Sequence, residues 1–236
     1  MMRLRQWATG LTARLAIAIL IILGLTWGWV APADAVSLSD RDRLLKKNAC
    51  PSFLWQVCDL RKADLRGLDL TGANLGGANL RGADLQNTIL KRANLAGTDL
   101  QGANLRGANL FEADLNRAIL DNADLRDAQL LKANLTLASL KQADLRNANF
   151  LEARLWGADL TGANLRQASL QSADLEYANL AESNLSRADL HSFYFREIQK
   201  PTNLSHANLE GANLAKANLR GVIFRGTVMP DGRISD

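Results

Sequence analysis

"GADLQNTILKRANLAGTDLQGANLRGANL", residues 82–110, repeats itself every five residues. Leu85, Leu90, Leu95, Leu100, Leu105 and Leu110 share one phase, and a small residue sits two positions before each. An α-helix turns about 100° per residue, so a step of five carries the leucine about 140° around the axis and leaves no apolar stripe. A flat strand alternates faces, so a step of five reverses the leucine each time. Neither regular structure buries all the leucines on one side. Let the leucine be position i. Residue i−2 lies on the same face of an extended segment as i. From i to the next i−2 is three residues, an odd step, so the chain must bend between them. One bend per pentapeptide, always in the same sense, makes a coil whose inward side chains are i and i−2. Successive coils then stack about 4.8 Å apart, as sheet neighbours do.

The phase holds far beyond this stretch. Leu or Phe occupies every fifth position from Leu60 to Leu190, 27 in succession, with Phe150 as the one non-leucine. The pattern A-(D/N)-L-x-x resembles the pentapeptide-repeat family over about 170 of the 236 residues. The resemblance implies an all-β solenoid, a right-handed quadrilateral β-helix with four pentapeptides per coil. It implies a scaffold shared by many functions rather than one chemistry. Twenty residues per coil stacks the core positions Leu85, Leu105, Leu125, Leu145 and Leu165 one above another.

The rest of each unit suits this coil. At i−2 only a small side chain fits near a corner, which explains Ala and its substitutes Thr88, Thr98 and Ser183. Cys58 takes one such slot, and the oversized Leu68 predicts local widening. Asp or Asn fills 21 of the 27 places at i−1. These side chains are expected to point outward and hydrogen-bond the backbone at the turns.

The segments on either side of the repeat read differently. Arg3, Arg5 and Arg14 precede or open the apolar run of residues 15–30, and "ADA" (Ala33–Ala35) follows it. That is the layout of a signal peptide over 1–35, cleaved after Ala35 or retained as an N-terminal anchor. The run is shorter than the roughly 20 residues of a spanning helix. There is no twin-arginine pair, which points to export of an unfolded chain. Membrane contact is expected only through this segment, if uncleaved. Residues 36–57 read as an N-terminal helical cap: Ser39 can cap a helix over 39–48, Lys46 and Lys47 suit its last turn, and Pro51 stops it. Leu44, Leu45, Phe53, Leu54 and Trp55 can then cover the first coil. In an oxidising compartment Cys50 and Cys58 can pair, tying this cap to the first repeat. Their C-x7-C spacing matches no zinc motif.

The β-helix is predicted over 58–190, with an irregular loop at 191–203, further coils at 204–226 and a closing turn at 227–236. Fourteen residues separate Leu190 from Leu204, where three units need fifteen. Phe193 and Phe195 still fit i−2 and i, so one irregular unit is expected here, perturbed by a short loop with Pro201. The whole amounts to about eight coils, or about 40 Å.

Stacking at twenty turns the sequence into a surface map. One i+1 column reads Arg66, Gln86, Arg106, Arg126, Arg146, Arg166. The i−1 column beside it reads Asp64, Asp84, Asn104, Asp124, Asp144, Asn164. Acid and base lie two residues apart, so an ion-pair ladder is expected rather than an anion stripe. The next side stacks Phe111, Leu131 and Leu151 beside the alternating Arg92, Glu112, Lys132 and Glu152. Leu137, Trp156 and Tyr177 fall on successive coils near the corner where Ile119 emerges. These apolar columns are either a partner or dimer surface or incidental sheet-forming residues.

Residues 59–228 carry 20 Lys+Arg against 19 Asp+Glu, so neither a basic nucleic-acid surface nor an acidic DNA decoy is indicated. No G-x-S-x-G, H-E-x-x-H or glycine phosphate loop is present, and a leucine-filled interior leaves no pocket. The sequence therefore predicts no enzyme activity, no cofactor, no metal and no nucleic-acid partner. It predicts a non-catalytic exported scaffold that binds an unknown protein partner or its own copy. The resemblance implies the thylakoid lumen or the periplasm, where exported members with an N-terminal cap occur. It also raises gyrase protection by DNA mimicry, which the neutral charge and the export signal oppose. A threonine ladder for ice is absent, because Thr71, Thr136 and Thr161 do not stack.

Overall fold

The computed structural model describes residues 44–45, 58–195 and 198–236. The expected signal segment 1–35, Cys50, Phe53, Leu54 and Trp55 lie outside them. Of the expected cap only Leu44 and Leu45 are described; both are helical, and Leu44 is fully buried in the core.

Each pentapeptide forms one side of a square coil. Position i−1 makes a single parallel bridge, and i+1 and i+2 form the turn. Bridges join residues twenty apart: Asp64 to Asp84, Asp84 to Asn104, Asn104 to Asp124. The Leu65 amide donates to the Asp84 carbonyl (2.8 Å), and the Asp84 amide donates back to Ala63 (2.9 Å). Each corner is closed by the amide of i−2 donating to the carbonyl of the preceding i, as Ala63 does to Leu60 (3.0 Å). These short ladders satisfy the backbone without any long strand, as buried peptide groups require.

The corner dictates residue types. Position i+2 sits in the left-handed region at φ near +60°, for instance Asn122 at 58° and Lys132 at 59°. Gly, Asn and other side chains not branched at Cβ fill it, Leu137, Tyr177 and His206 among them, and no Val, Ile or Thr occurs, since branching at Cβ is strongly disfavoured there. At i−1 the Asp or Asn Oδ1 accepts the amide of i+1, as Asp84 does from Gln86 (3.1 Å) and Asn94 from Ala96 (3.0 Å). These are the side-chain turns expected from the sequence.

Leu85, Leu105, Leu125, Leu145 and Leu165 are fully buried, with alanines beside them. Hydroxyls at i−2 satisfy themselves on carbonyls inside the coil: Thr88 donates to Leu65 (2.8 Å) and Ser183 to Leu180 (2.6 Å). Leu68 widens its corner as expected, and Val222, which the sequence reading did not single out, does the same. Leu68 and Val222 donate to the preceding carbonyl at 3.3 Å, against 3.0 Å for Ala73 and Ala83.

The irregular region departs from its sequence reading. Up to Ser169–Asp189 the bridges are twenty apart; Asp174 then pairs with Asn203 and Asn179 with Asn208, twenty-nine apart. Spacing returns to twenty at Asn203–Ile223. Nine residues are therefore inserted, and Leu204 takes the slot directly after Leu190. Phe193 and Phe195 do not continue the coil at i−2 and i. They belong to β1 (Phe193–Phe195), which pairs antiparallel with β2 (Ile198–Lys200) in the register Phe193–Lys200 and Phe195–Ile198. The two-residue spacing of the phenylalanines fits a hairpin strand as well as a coil slot, and local antiparallel pairing wins because its partner is only a few residues away.

The closing turn runs back antiparallel, with Val228 bridged to Ile234. Asp231-Gly232 forms its tip, where Gly232 has φ 82° and donates to Met229 (2.9 Å).

Candidate interaction surface

One corner of the coil carries the largest exposed apolar side chains. Leu137, Tyr177 and His206 occupy its i+2 positions, and Trp156 stands one residue before Gly157 in the same column. The column is continuous: Leu137 donates to the Trp156 carbonyl (2.9 Å), Gly157 to Glu176 (2.9 Å) and Tyr177 to Ser205 (3.0 Å). Trp156 meets Tyr177 edge-on at 5.7 Å, and Tyr177 stacks on His206 at 5.0 Å with 14° between the rings. Exposures are 42% for Leu137, 40% for Trp156 and 52% for Tyr177, beside inward leucines such as Leu135, Leu155 and Leu175 at zero.

Glycines make room for the ridge. A Cβ on Gly157 would lie 2.9 Å from Leu137 Cδ2, and one on Gly226 would lie 2.7 Å from His206 Nδ1. Ile119, 41% exposed, emerges on the adjoining side, and its bridge partner Ser139 is two residues beyond Leu137. His206 is absent from the sequence-derived column because the nine-residue insertion hides that it follows Tyr177. Recognising Leu204 as the slot after Leu190 would have revealed it.

The second apolar column is less open. Phe111, Leu131 and Leu151 stack as expected, Glu112 donating to Leu131 and Lys132 to Leu151 (both 3.0 Å), but all three are half-buried. Arg92 pairs with Glu112 across the coils at 2.8 Å.

The arginine column is largely neutralised within and between coils. Arg66 pairs with Asp64 (2.7 Å) and Asp84 (3.5 Å), Arg126 with Asp124 (2.5 Å) and Asp144 (3.7 Å), Arg146 with Asp144 (2.6 Å), and Arg106 with Asp127 (3.6 Å). The guanidinium hydrogen bond of Arg126 holds the Asp124 carboxyl below the usual carboxylate range, against the opposing effect of burial. Beside the hairpin, His191 Nδ1 lies 2.6 Å from Asp189, which also accepts from Gln171 (2.9 Å) and Asn218 (3.0 Å). This cluster is internally satisfied. Among the described residues no three His, Cys, Asp or Glu side chains are grouped to hold a metal, and no helix is long and apolar enough to cross a membrane.

The profile of pentapeptide repeats matches eight copies, over residues 58–95, 88–127, 128–167, 168–192 and 202–231. The chain belongs to the pentapeptide-repeat family. Its fold is accordingly the right-handed quadrilateral β-helix of that family, and the matches step over residues 193–201, where the hairpin leaves the coil. Among curated proteins nothing matches the chain. Among solved structures it is similar to HetL, a pentapeptide-repeat protein involved in heterocyst differentiation regulation in the cyanobacterium Nostoc sp. strain PCC 7120. The identity is 32%, covering 84% of this chain and 98% of HetL, with a TM-score of 0.46. QnrB1, a plasmid-mediated fluoroquinolone resistance protein, is 21% identical over 69% of this pentapeptide-repeat chain and 77% of its own, with a TM-score of 0.46. A pentapeptide-repeat protein of the Arabidopsis thaliana thylakoid lumen is 31% identical over 56% of this chain and 72% of its own, with a TM-score of 0.18.

Proposed function

We propose that this pentapeptide-repeat protein is a non-catalytic scaffold, exported from the cytoplasm, that binds a partner protein through the corner ridge of Leu137, Trp156, Tyr177 and His206. One observation carries the reading: the rings of Trp156, Tyr177 and His206 touch in sequence along one corner, with exposed Leu137 in the coil below, while the other sides carry charge pairs. Aromatic residues fixed in a rigid row supply contact area at little entropic cost, which is the composition of interface centres. Ile119 extends the patch, and the half-buried Phe111, Leu131 and Leu151 form a secondary candidate. The near balance of Lys+Arg and Asp+Glu over 59–228 favours a protein partner over nucleic acid, and over an acidic decoy such as gyrase protection requires.

The layout of residues 1–35 supports export to a thylakoid lumen or a periplasm. A Cys50–Cys58 bridge belongs to the same reading. Cys58 occupies a buried i−2 slot at the start of the described coils, where a bridge to the segment before it would tie that segment to the first repeat.

The ridge is tested by placing a photo-crosslinking residue at Tyr177 and, as control, at Asn122, in the native host. Adducts specific to position 177 that disappear with Trp156→Ala support the surface. Identical adduct patterns at both positions overturn it. N-terminal sequencing of the mature chain from fractionated cells tests export, and an uncleaved cytoplasmic chain rejects it.

A further inference from the structure

The end of the coil formed by residues 212–225 is an unpaired sheet edge. One coil below, the amides of Leu185, Arg187, Leu190 and Ser192 each donate at 2.9 Å to the coil above. Their equivalents on the last coil are Leu214, Lys216, Leu219 and Gly221, and these four N–H groups have no acceptor among the described residues. The Ser183 and Ala188 carbonyls accept from Asn213 and Asn218, whereas the equivalent Ala212 and Ala217 carbonyls receive no donor there. The closing turn does not serve them, because it pairs instead with Gly226, Thr227 and Met229. The core is open at the same place: Leu214, Ala217 and Leu219 are only partly buried.

The rim of this edge is cationic. Lys216, Arg220 and Arg225 are all exposed, and none makes an ion pair among the described residues. A second copy set end to end would bring these cations against their own equivalents, and facing like charges are destabilising. An extended segment with acidic side chains satisfies all three features together: it accepts and donates along the edge, covers the leucines and neutralises the rim.

We propose that this end docks an extended acidic segment of a partner protein, which adds as one further run of strand over residues 212–221. The run over residues 212–221 lies on two other sides of the coil, away from the corner ridge, and does not rest on it; of the rim only Arg225 stands above His206. Each side of the coil offers two donors and one acceptor, so specificity comes from the spacing of apolar and acidic residues.

The probe is a ten-residue peptide, ADLAEADLEG, which in register sets its glutamates above Lys216 and Arg220. The control is ADLAKADLKG. With the full chain, the acidic peptide is expected to bind at least about tenfold more tightly than the control, as charge complementarity at an exposed rim allows. Hydrogen exchange at the Leu214, Lys216, Leu219 and Gly221 amides should slow when it binds. The exposed double substitution Lys216→Glu with Arg220→Glu should reverse the peptide preference, while Trp156→Ala should leave it unchanged. Equal binding of both peptides overturns the proposal, as does the absence of slowed exchange. Protection of the same amides in a concentration-dependent dimer without peptide assigns the edge to a second copy and overturns it too. So does binding to vesicles with phosphatidylglycerol when the acidic peptide gives none.

Discussion

The two ends of the solenoid are built from the same residues and differ in what covers them. Leu60, Leu65 and Leu70 of the first described coil are 0–2% exposed, although no coil precedes them among the described residues, and Leu44 lies buried in the same cluster. Leu214, Leu219 and Phe224 of the last coil occupy the same inward positions and stay partly open. A leucine at i is thus sealed by its neighbours along the axis and not by its own pentapeptide. In a stack where each unit contacts only the next, the terminal interface is the one that must be supplied from outside the repeat.

The sharpest test compares equivalent truncations. Leu125→Ala, in the sealed middle, is expected to cost about 2–5 kcal/mol, whereas Leu219→Ala at the open end should cost less than half as much. Urea unfolding of both variants measures the difference, and equal losses would break the contrast between middle and end. Backbone requirements should show no such contrast. Gly102 and Gly221 have φ of 65° and 74°, and a Cβ at Gly102 meets nothing within 4 Å. Gly102→Val and Gly221→Val are each expected to cost about 1–2 kcal/mol through strain alone. A much smaller loss at Gly221 would mean that the last coil is free to change shape.

Deletion of residues 193–201 should be tolerated. It joins Ser192 to Thr202 and restores a spacing of twenty, so the thermal midpoint is expected to move by only a few degrees. Loss of the folded circular dichroism spectrum would show that the hairpin supports the coils above it. The smallest effect concerns charge. Because the Asp124 carboxyl is held below its ordinary value, its contribution is present above about pH 4 and lost as pH falls through the lower folded value. Asp124→Asn should cost about 0.2–1 kcal/mol at pH 7 and correspondingly less at pH 2, by urea titration at the two pH values. An equal cost at both would show that the loss does not come from the carboxylate charge, since Asn keeps the turn hydrogen bond, as Asn94 does with Ala96.

The repeat made most of the body legible. Position i−2 admits little more than Ala or a hydroxyl, i−1 caps the turn and i+2 sits in the left-handed region. A five-residue string therefore states its own conformation, and twenty-residue stacking converts it into neighbours such as Trp156 and Tyr177. His206 was not legible, because an insertion of nine differs from a missing residue only in which coil slot Leu204 occupies.

The local code is written in side-chain size and backbone preference, which act within one pentapeptide, so the sequence by itself determined the square coil, its leucine core and its charge ladders. The antiparallel pairing of residues 193–195 with 198–200, the contact between Tyr177 and His206, and the exposure of the last coil were decided only by the tertiary structure. The last two depend on what lies one turn away along the axis, and the first on a pairing partner a few residues along the chain, neighbours that no single pentapeptide specifies.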